Sequence, residues 1–172
     1  MIVKRGFDLL IASAALTVTA PILLTVAALV KLTSDGPIFF AQERVGKNGR
    51  TFKMLKFRSM VVNAEALRAQ LEAENEMDGP VFKIKRDPRI TRIGHFIRKT
   101  SLDEFPQFIN VMRGEMSIVG PRPPLPSEVE QYERWQRKRL SVKPGITCIW
   151  QISGRNDVTF EQWVQMLSLI HI

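Results

Sequence analysis

The sequence predicts a mixed α/β, helix-rich fold, with one domain that follows an N-terminal helix embedded in a membrane. Three observations predict this fold. A long uncharged stretch near the N-terminus is typical of a membrane helix, two strand-like segments flank an Asn-Gly turn, and later segments have the composition of helices. With 172 residues, 45% of them hydrophobic, the chain is long enough to form one domain with a modest core.

The N-terminal stretch is the strongest of these signals. The 22 residues 9–30 carry no charge, Lys4 and Arg5 precede them, and Lys31 follows. A helix of this length is about 33 Å long, close to the thickness of the hydrocarbon core of a bilayer. The stretch is longer than the apolar part of a signal peptide, and no clear A-x-A cleavage site ends it. We therefore expect this segment to stay in the membrane.

Two arrangements are compatible with residues 1–32. Pro21 lies inside the apolar stretch and basic residues flank both ends, whereas a spanning helix carries its positive charge mainly on the cytoplasmic side. One arrangement is a span that is kinked at Pro21. The other is a re-entrant hairpin broken at Pro21, in which hydroxyls of Ser13, Thr17 or Thr19 satisfy the freed carbonyls. The re-entrant arrangement satisfies both observations, whereas a span kinked at proline is the commoner case, so the residues alone leave both arrangements open.

The elements after the membrane segment follow in order along the chain. Two strands surround a turn at residues 47–49, and residues 63–77 have the composition of a solvated surface helix with Asn63 as its N-cap. Residues 83–99 form a basic run with seven basic residues and one acid. The later predicted elements are a helix to about residue 112, a basic amphipathic helix over residues 128–140 with Tyr132 and Trp135, a strand within residues 142–157, and a helix after Thr159 that bears Trp163.

The segment "SLDEFPQ" at residues 101–107 places two carboxylates, Asp103 and Glu104, in a basic neighbourhood. Ser101 and Glu104 fit a capping box, which would start a helix at this point. Pro106 would then fall at the fifth helical position, where its missing N–H costs a helix hydrogen bond. A helix that starts nearer Asp103 would instead hold Pro106 in its first turn, and both carboxylates would lie at a helix mouth rich in backbone donors.

The charge balance indicates an anionic partner. The formal net charge is +8 and the pI is near 10.1, which suits nucleic acid, anionic lipid or a phosphorylated substrate. The single cysteine, Cys148, excludes an internal disulfide and fits a reducing compartment. His95 lies in a basic, strand-like stretch, which suits a packed or surface residue better than a hydrolase triad. The sequence has neither zinc-ligand spacing nor a Walker or G-x-G-x-x-G loop.

The remaining candidates are carboxylates among arginines, which suit phosphoryl transfer. That chemistry needs a metal ion or arginines on the phosphate oxygens and a nucleophile or base in line with the leaving group. A carboxylate can itself be the nucleophile and form an acyl phosphate. Arg122 fits this chemistry because the "GPRPP" segment brackets it with prolines of fixed φ, which would preorganise its guanidinium. The alternative is a Pro-rich surface turn with a solvated arginine.

Several motifs together resemble a known family. "KFRSM", "RKTSLDEFPQFINVMRGEMSIVGPRP" and "VKPGITCIWQISGRN" follow a Pro-containing apolar N-terminus, and in this order they look like the bacterial sugar transferase family. The likeness runs from about Lys4 to Met166. "GPVFKIKRDPRITRIG" and "RPPLPSEVEQYERWQ" resemble the branch that transfers glucose or galactose phosphate to undecaprenyl phosphate. Members of that branch often carry an additional N-terminal membrane bundle, which this sequence does not include.

The resemblance implies a role for each matching residue. Asp103 would attack the β-phosphate of a UDP-sugar, which releases UMP and leaves a phosphosugar on the enzyme, and undecaprenyl phosphate would then take up the phosphosugar. Glu104 would help to hold Mg²⁺. The residues that would bind the phosphates and the nucleotide are Lys56, Arg98, Arg122, Gln151 and Arg155.

The resemblance also implies where the protein acts. The catalytic domain, residues 33–166, would lie on the cytoplasmic face of the bacterial inner membrane. It would contact membrane lipids through a re-entrant helix over residues 1–32, which we expect to be broken at Pro21, and through amphipathic interfacial helices. Transfer there would initiate exopolysaccharide, O-antigen or capsule assembly, by a protein that could form a homodimer and does not bind nucleic acid. One alternative is a membrane-tethered nucleic-acid-binding protein, which only the charge favours. Another is an inactive anchor of a glycan assembly complex, which is disfavoured because the acidic pair and Arg122 are intact.

Two features depart from the family pattern. Family members often have Ser-Pro where this chain has Ala20-Pro21, so one hydroxyl is missing at the predicted break. The C-terminal "LSLIHI", residues 167–172, also departs from the family. CTGTCTCTTATACACATC encodes it in frame, and this string is an adapter of transposase-based sequencing libraries. We therefore expect residues 167–172 to be a read-through artefact and the true C-terminus to be missing; the alternatives are a short apolar helix end or a natural frameshift.

Overall fold

A computed structural model of the chain describes residues 2–68, 71, 84 and 87–148. Over these residues the fold mixes helix and sheet, as the sequence predicts. The elements are α1 (Ile2–Thr33), β1 (Phe39–Val45), β2 (Thr51–Phe57), α2 (Ala64–Arg68), α3 (Arg92–Lys99), α4 (Gln107–Arg113), β3 (Ser117–Val119), α5 (Pro126–Glu130) and β4 (Gly145–Thr147). Most of the predicted helix over residues 63–77, the predicted Trp163 helix, and residues 167–172 lie outside the described residues.

The apolar N-terminal segment forms one long helix. α1 is long and apolar enough to cross a membrane, and many of its large apolar side chains, such as Leu10, Val18 and Leu24, are exposed. Pro21 lies inside the helix rather than at an end, and the Thr25 hydroxyl donates to the Pro21 carbonyl at 2.9 Å. Exposed apolar side chains suit contact with lipid. Whether the segment returns to the same face of the membrane stays a prediction.

The chain divides into two compact units. Among the described residues, the first contains residues 2–18, 41–55 and 107–148. Its core includes Ala12, Met54, Val111 and Met116. Here β3 and β4 pair in parallel, with Ser117 opposite Gly145 and Val119 opposite Thr147.

Among the described residues, the second unit contains residues 19–40, 56–68, 71, 84 and 87–106. Its core packs Val26 and Val30 of α1 against Phe57 and Ile97. α3 begins after Thr91, whose Oγ1 accepts a hydrogen bond from the Gly94 N–H at 3.0 Å. A Cβ at Gly94 would collide with the Ser59 carbonyl, so this position requires glycine for α3 to pack beside the end of β2.

The predicted hairpin is confirmed. β1 and β2 form a two-stranded sheet, and the connection between them holds a short 3-10 turn, Lys47–Gly49. Asn48 and Gly49 have φ of 58° and 78°, a left-handed conformation that asparagine and glycine tolerate better than other residues. This local preference is why the Asn-Gly pair predicts the turn.

The predicted secondary structure is wrong in two places. His95 does not lie in a strand-like stretch but on α3, where its side chain is exposed. Residues 128–140 do not form one amphipathic helix, because α5 ends at Glu130 and a separate 3-10 turn covers Gln136–Ser141. Between them the Glu133 N–H donates to the Gln136 side chain at 2.8 Å rather than to a carbonyl of the preceding turn. A Gln side chain that accepts from the N–H three residues before it is typical of the start of a new helical turn, so the chain begins a second turn here instead of continuing α5.

Candidate active site

The acidic pair lies on a turn of its own between two helices. α3 ends at Lys99, Leu102–Glu104 form a 3-10 turn, and α4 begins only at Gln107. Ser101 adopts a left-handed conformation with φ 57° and makes no side-chain cap, so the predicted capping box is wrong. The alternative start nearer Asp103 is also too early, since Pro106 precedes α4.

Asp103 is the buried member of the pair. Its exposed fraction is 7%. Burial raises the pKa of the Asp103 carboxyl above its usual value, the charge of Lys56 opposes this, the neighbouring Glu104 adds to it, and Arg98 opposes it. Removal from water disfavours the charged form, whereas nearby cations favour it. Asp103 is thus a carboxyl of increased basicity with positive charge close by.

Glu104 is held by a cation from the hairpin. The Lys56 Nζ lies 2.8 Å from the Glu104 Oε1, and both side chains are half-buried. Lys56 comes from β2, so this ion pair fixes the acidic turn to the end of that strand. The second unit therefore gathers three predicted site residues, Lys56, Asp103 and Glu104, and Arg98 on α3 acts on Asp103 through its charge.

The other predicted site residues are placed differently. Arg122 belongs to the first unit. Gln151 and Arg155 lie outside the described residues. The structure therefore brings the acidic pair together with Lys56 and Arg98. The predicted roles of Arg122, Gln151 and Arg155 stay predictions.

The segment around Arg122 is pinned by donors from three other parts of the chain. Four consecutive carbonyls, those of residues 121–124, each accept a hydrogen bond. The donors are the Gly145 N–H to Pro121 (2.9 Å), an Arg139 guanidinium N–H to Arg122 (2.8 Å), an Arg44 guanidinium N–H to Pro123 (3.1 Å) and the Val45 N–H to Pro124 (2.9 Å).

Arg44 and Arg139 are not among the residues that the sequence indicated. Both are buried, with exposed fractions of 7% and 4%. Arg139 also donates to the Tyr132 hydroxyl at 3.0 Å, and its burial lowers the pKa of its guanidinium. Nothing in the local sequence distinguishes these arginines from the many exposed ones, because their role depends on which carbonyls the fold brings near them.

The acidic turn fits a magnesium ion that is shared with a substrate. Among the residues that the structure describes, no three or more His, Cys, Asp or Glu side chains form a metal-binding group. Mg²⁺ is commonly bound through one or two carboxylates together with substrate phosphates and water. The adjacent carboxylates of Asp103 and Glu104 match that donor set, and Glu104 would hold the ion.

Comparison with known proteins identifies the family. The family model described as bacterial sugar transferase matches residues 1–169. The chain belongs to the bacterial sugar transferase family. The resemblance inferred from the motifs is therefore confirmed over almost the whole sequence.

Three curated bacterial sugar transferases illustrate the similarity. The chain is 57% identical to the galactosyl transferase CpsE of Streptococcus agalactiae serotype III over 76% of its length. It is 53% identical to the UDP-galactose-lipid carrier transferase of Erwinia amylovora over 92%, and 45% identical to the undecaprenyl-phosphate galactose phosphotransferase of Salmonella typhimurium over 92%. The matched parts cover 29%, 34% and 34% of these relatives, so the chain spans about a third of their length.

Proposed function

We propose that this chain transfers a sugar 1-phosphate from a UDP-sugar to undecaprenyl phosphate. The observation that carries the proposal is the buried Asp103 carboxyl beside the Lys56–Glu104 ion pair, in a member of the bacterial sugar transferase family. The names of two relatives, a UDP-galactose-lipid carrier transferase and an undecaprenyl-phosphate galactose phosphotransferase, support the donor and the acceptor.

In the first step, an Asp103 oxygen attacks the β-phosphorus of the UDP-sugar. A bond forms between that oxygen and phosphorus, and the bond from phosphorus to the bridging oxygen breaks, so UMP leaves with the electron pair. The attacking carboxylate must be ionised and poorly solvated to be a good nucleophile. Burial raises the pKa of Asp103 and so its basicity, while Lys56 and Arg98 favour the ionised form.

In the second step, a phosphate oxygen of undecaprenyl phosphate attacks the phosphorus of the acyl phosphate. The bond from phosphorus to the Asp103 oxygen breaks, which regenerates the carboxylate and yields a sugar joined to the lipid through a diphosphate. Lys56 and Arg98 offset the negative charge near Asp103, and by family resemblance Arg122, Gln151 and Arg155 would bind the phosphates and the nucleotide. A bound Mg²⁺, held by Glu104, would neutralise part of the diphosphate charge.

The same proposal includes the place of action. α1 is apolar and exposed and has basic residues near both ends, which supports a re-entrant anchor with the catalytic residues on the cytoplasmic face of the inner membrane. There the product would begin the assembly of an exopolysaccharide, an O-antigen or a capsule.

The test is an assay of UMP release with a panel of UDP-sugars and undecaprenyl phosphate. The detergent-solubilised protein should release UMP with at least one donor, and intact-protein mass spectrometry should detect a phosphosugar adduct. Asp103→Asn should lose both signals, whereas Asp35→Asn, an exposed acid of the same unit, should keep both. If Asp103→Asn still turns over, the transfer is direct and the covalent step is wrong. If no UDP-sugar gives UMP with the wild-type protein, the proposed function itself fails.

A further inference from the structure

The segment of residues 121–124 has an unusual hydrogen-bonding requirement. Three of its four residues, Pro121, Pro123 and Pro124, have no N–H, so the segment cannot pair with a strand as a normal donor and acceptor. Its carbonyls still need partners, because unpaired buried carbonyls cost free energy. All four obtain one from outside the segment, and two of the four donors are buried arginine side chains.

The two arginines hold this backbone on both sides of the Arg122 side chain. Arg139 donates to the carbonyl of Arg122 itself, and Arg44 donates to the next carbonyl, that of Pro123. Each guanidinium is fixed by a second contact: Arg139 by the Tyr132 hydroxyl at 3.0 Å, and Arg44 by the Gln42 Oε1 at 2.6 Å. A planar guanidinium with two engaged nitrogens resists rotation in a way that a lysine ammonium does not.

The Arg122 guanidinium differs from those of Arg44 and Arg139 in its polar contacts. It is half-buried, and among the described residues no hydrogen bond or ion pair involves its guanidinium. A backbone fixed at every carbonyl with a charged side chain left over is the arrangement expected of a preorganised anion-binding group.

We propose that Arg44 and Arg139 are positioning residues for Arg122. They fix the direction in which the Arg122 guanidinium leaves the backbone, so that it meets a substrate phosphate without reorganisation. The inference rests on the proposed function, in which Arg122 binds a phosphate group of the donor or the lipid acceptor. Arg44 and Arg139 lie outside the GPRPP segment in the sequence, yet they would contribute to phosphate binding by holding Arg122 in place.

A double-mutant cycle on the full chain tests the functional part. Arg139→Lys and Arg44→Lys replace the planar guanidinium fork with a single amine group. A small misplacement of a substrate-binding group costs up to about a hundredfold in rate. Each should therefore lower kcat/KM for the UDP-sugar by about tenfold to a hundredfold. Arg122→Gln should be at least as slow, and the double variant Arg122→Gln/Arg139→Lys should be no slower than Arg122→Gln. The matched control is Lys138→Gln, an exposed cation next to Arg139, which should match the wild type.

Three results of this cycle would overturn the inference. They are wild-type kcat/KM in Arg139→Lys, wild-type kcat/KM in Arg122→Gln, and losses that multiply in the double variant, because a merely structural residue weakens every background equally. None of these results would contradict the proposed function itself, which the phosphosugar adduct on Asp103 tests separately.

Hydrogen exchange tests the positioning without relying on activity. The amides of Val45 and Gly145 donate to the carbonyls of Pro124 and Pro121, so they report on both ends of the pinned segment. In Arg139→Lys both amides should exchange at least about tenfold faster than in the wild type and in Lys138→Gln, as expected for lower local stability. Unchanged exchange at both amides would show that Arg139 does not hold the segment.

Discussion

Asp87 and Asp103 are both buried carboxylates of the second unit, with exposed fractions of 6% and 7%, yet their environments act in opposite directions. Asp87 is bound by Arg89 at both oxygens, at 2.8 Å and 2.6 Å, and accepts the Arg89 backbone N–H at 3.0 Å. Its side-chain hydrogen bonds to Arg89 lower the pKa of Asp87, whereas burial raises the pKa of Asp103.

The difference separates a structural carboxylate from one suited to chemistry. Hydrogen bonds to the charged form lower the energy of the Asp87 carboxylate and leave its lone pairs engaged. At Asp103 burial is the largest influence, and Lys56 and Arg98 act through their charges. A nucleophilic carboxylate has to be basic, and burial makes Asp103 more basic at a cost in stability. Such a trade of stability for activity is common at functional sites. Exposure alone would not have distinguished the two.

The largest expected effect concerns activity. Asp103→Asn should lower UMP release by at least about a thousandfold, since removal of a nucleophile leaves only binding and electrostatic stabilisation. Asp87→Asn removes a carboxylate that is equally buried, but per folded molecule it should retain more than about a tenth of the wild-type rate. The measurement is initial-rate UMP release, normalised to the folded fraction. Equal losses in the two variants would show that burial, and not the role of Asp103, determines the effect.

The next effect is on stability, and it should have the opposite order. Asp87→Asn breaks the ion pair between Asp87 and the buried Arg89 guanidinium, and breaking a buried ion pair costs about 3 kcal/mol. Thermal unfolding in detergent, followed by circular dichroism, should show a clearly lower midpoint. Asp35→Asn serves as the control, because that carboxyl is exposed. A midpoint equal to that of the wild type would show that the Arg89 pair is not stabilising.

Asp103→Asn should instead stabilise the protein at neutral pH. The raised pKa of Asp103 means that the folded state binds a proton more tightly than the unfolded state does. The associated stability is therefore present at low pH and is lost as the pH rises through the folded-state pKa. A neutral amide avoids that loss, so at pH 7 the thermal unfolding midpoint of Asp103→Asn should be higher than that of the wild type. The advantage over the wild type should shrink as the pH falls.

The sequence predicted those features that depend on neighbouring residues. The Asn48-Gly49 turn follows from the conformational freedom of two adjacent residues, and the acidic pair was evident from its motif. The Asp87–Arg89 pair and the Arg139 contact with Arg122 form because these charged side chains are buried. The sequence does not show which of its many charged side chains are buried. The expected helix over residues 128–140 is wrong because α5 ends at Glu130 and a separate turn begins at Gln136, a division that the composition of the segment does not show.

The smallest expected effect is a shift in pH dependence, and it tests whether Lys56 is a charge partner of Asp103. Asp103 must be ionised to attack, so kcat/KM should rise with pH through the pKa of this group in the free enzyme. Because the charge of Lys56 lowers the pKa of Asp103, Lys56→Gln should raise that pKa and move the acid limb of the pH–rate profile to higher pH.

Lys53→Gln is the matched control for this shift. Lys53 is an exposed lysine of the same strand, and its replacement should leave the acid limb in place. A lower plateau in Lys56→Gln with an unmoved acid limb would mean that Lys56 acts on the substrate or on Glu104 and not on the ionisation of Asp103. A shift of the limb to lower pH would contradict the sign of the charge effect and would remove Asp103 as the group whose ionisation controls the rate.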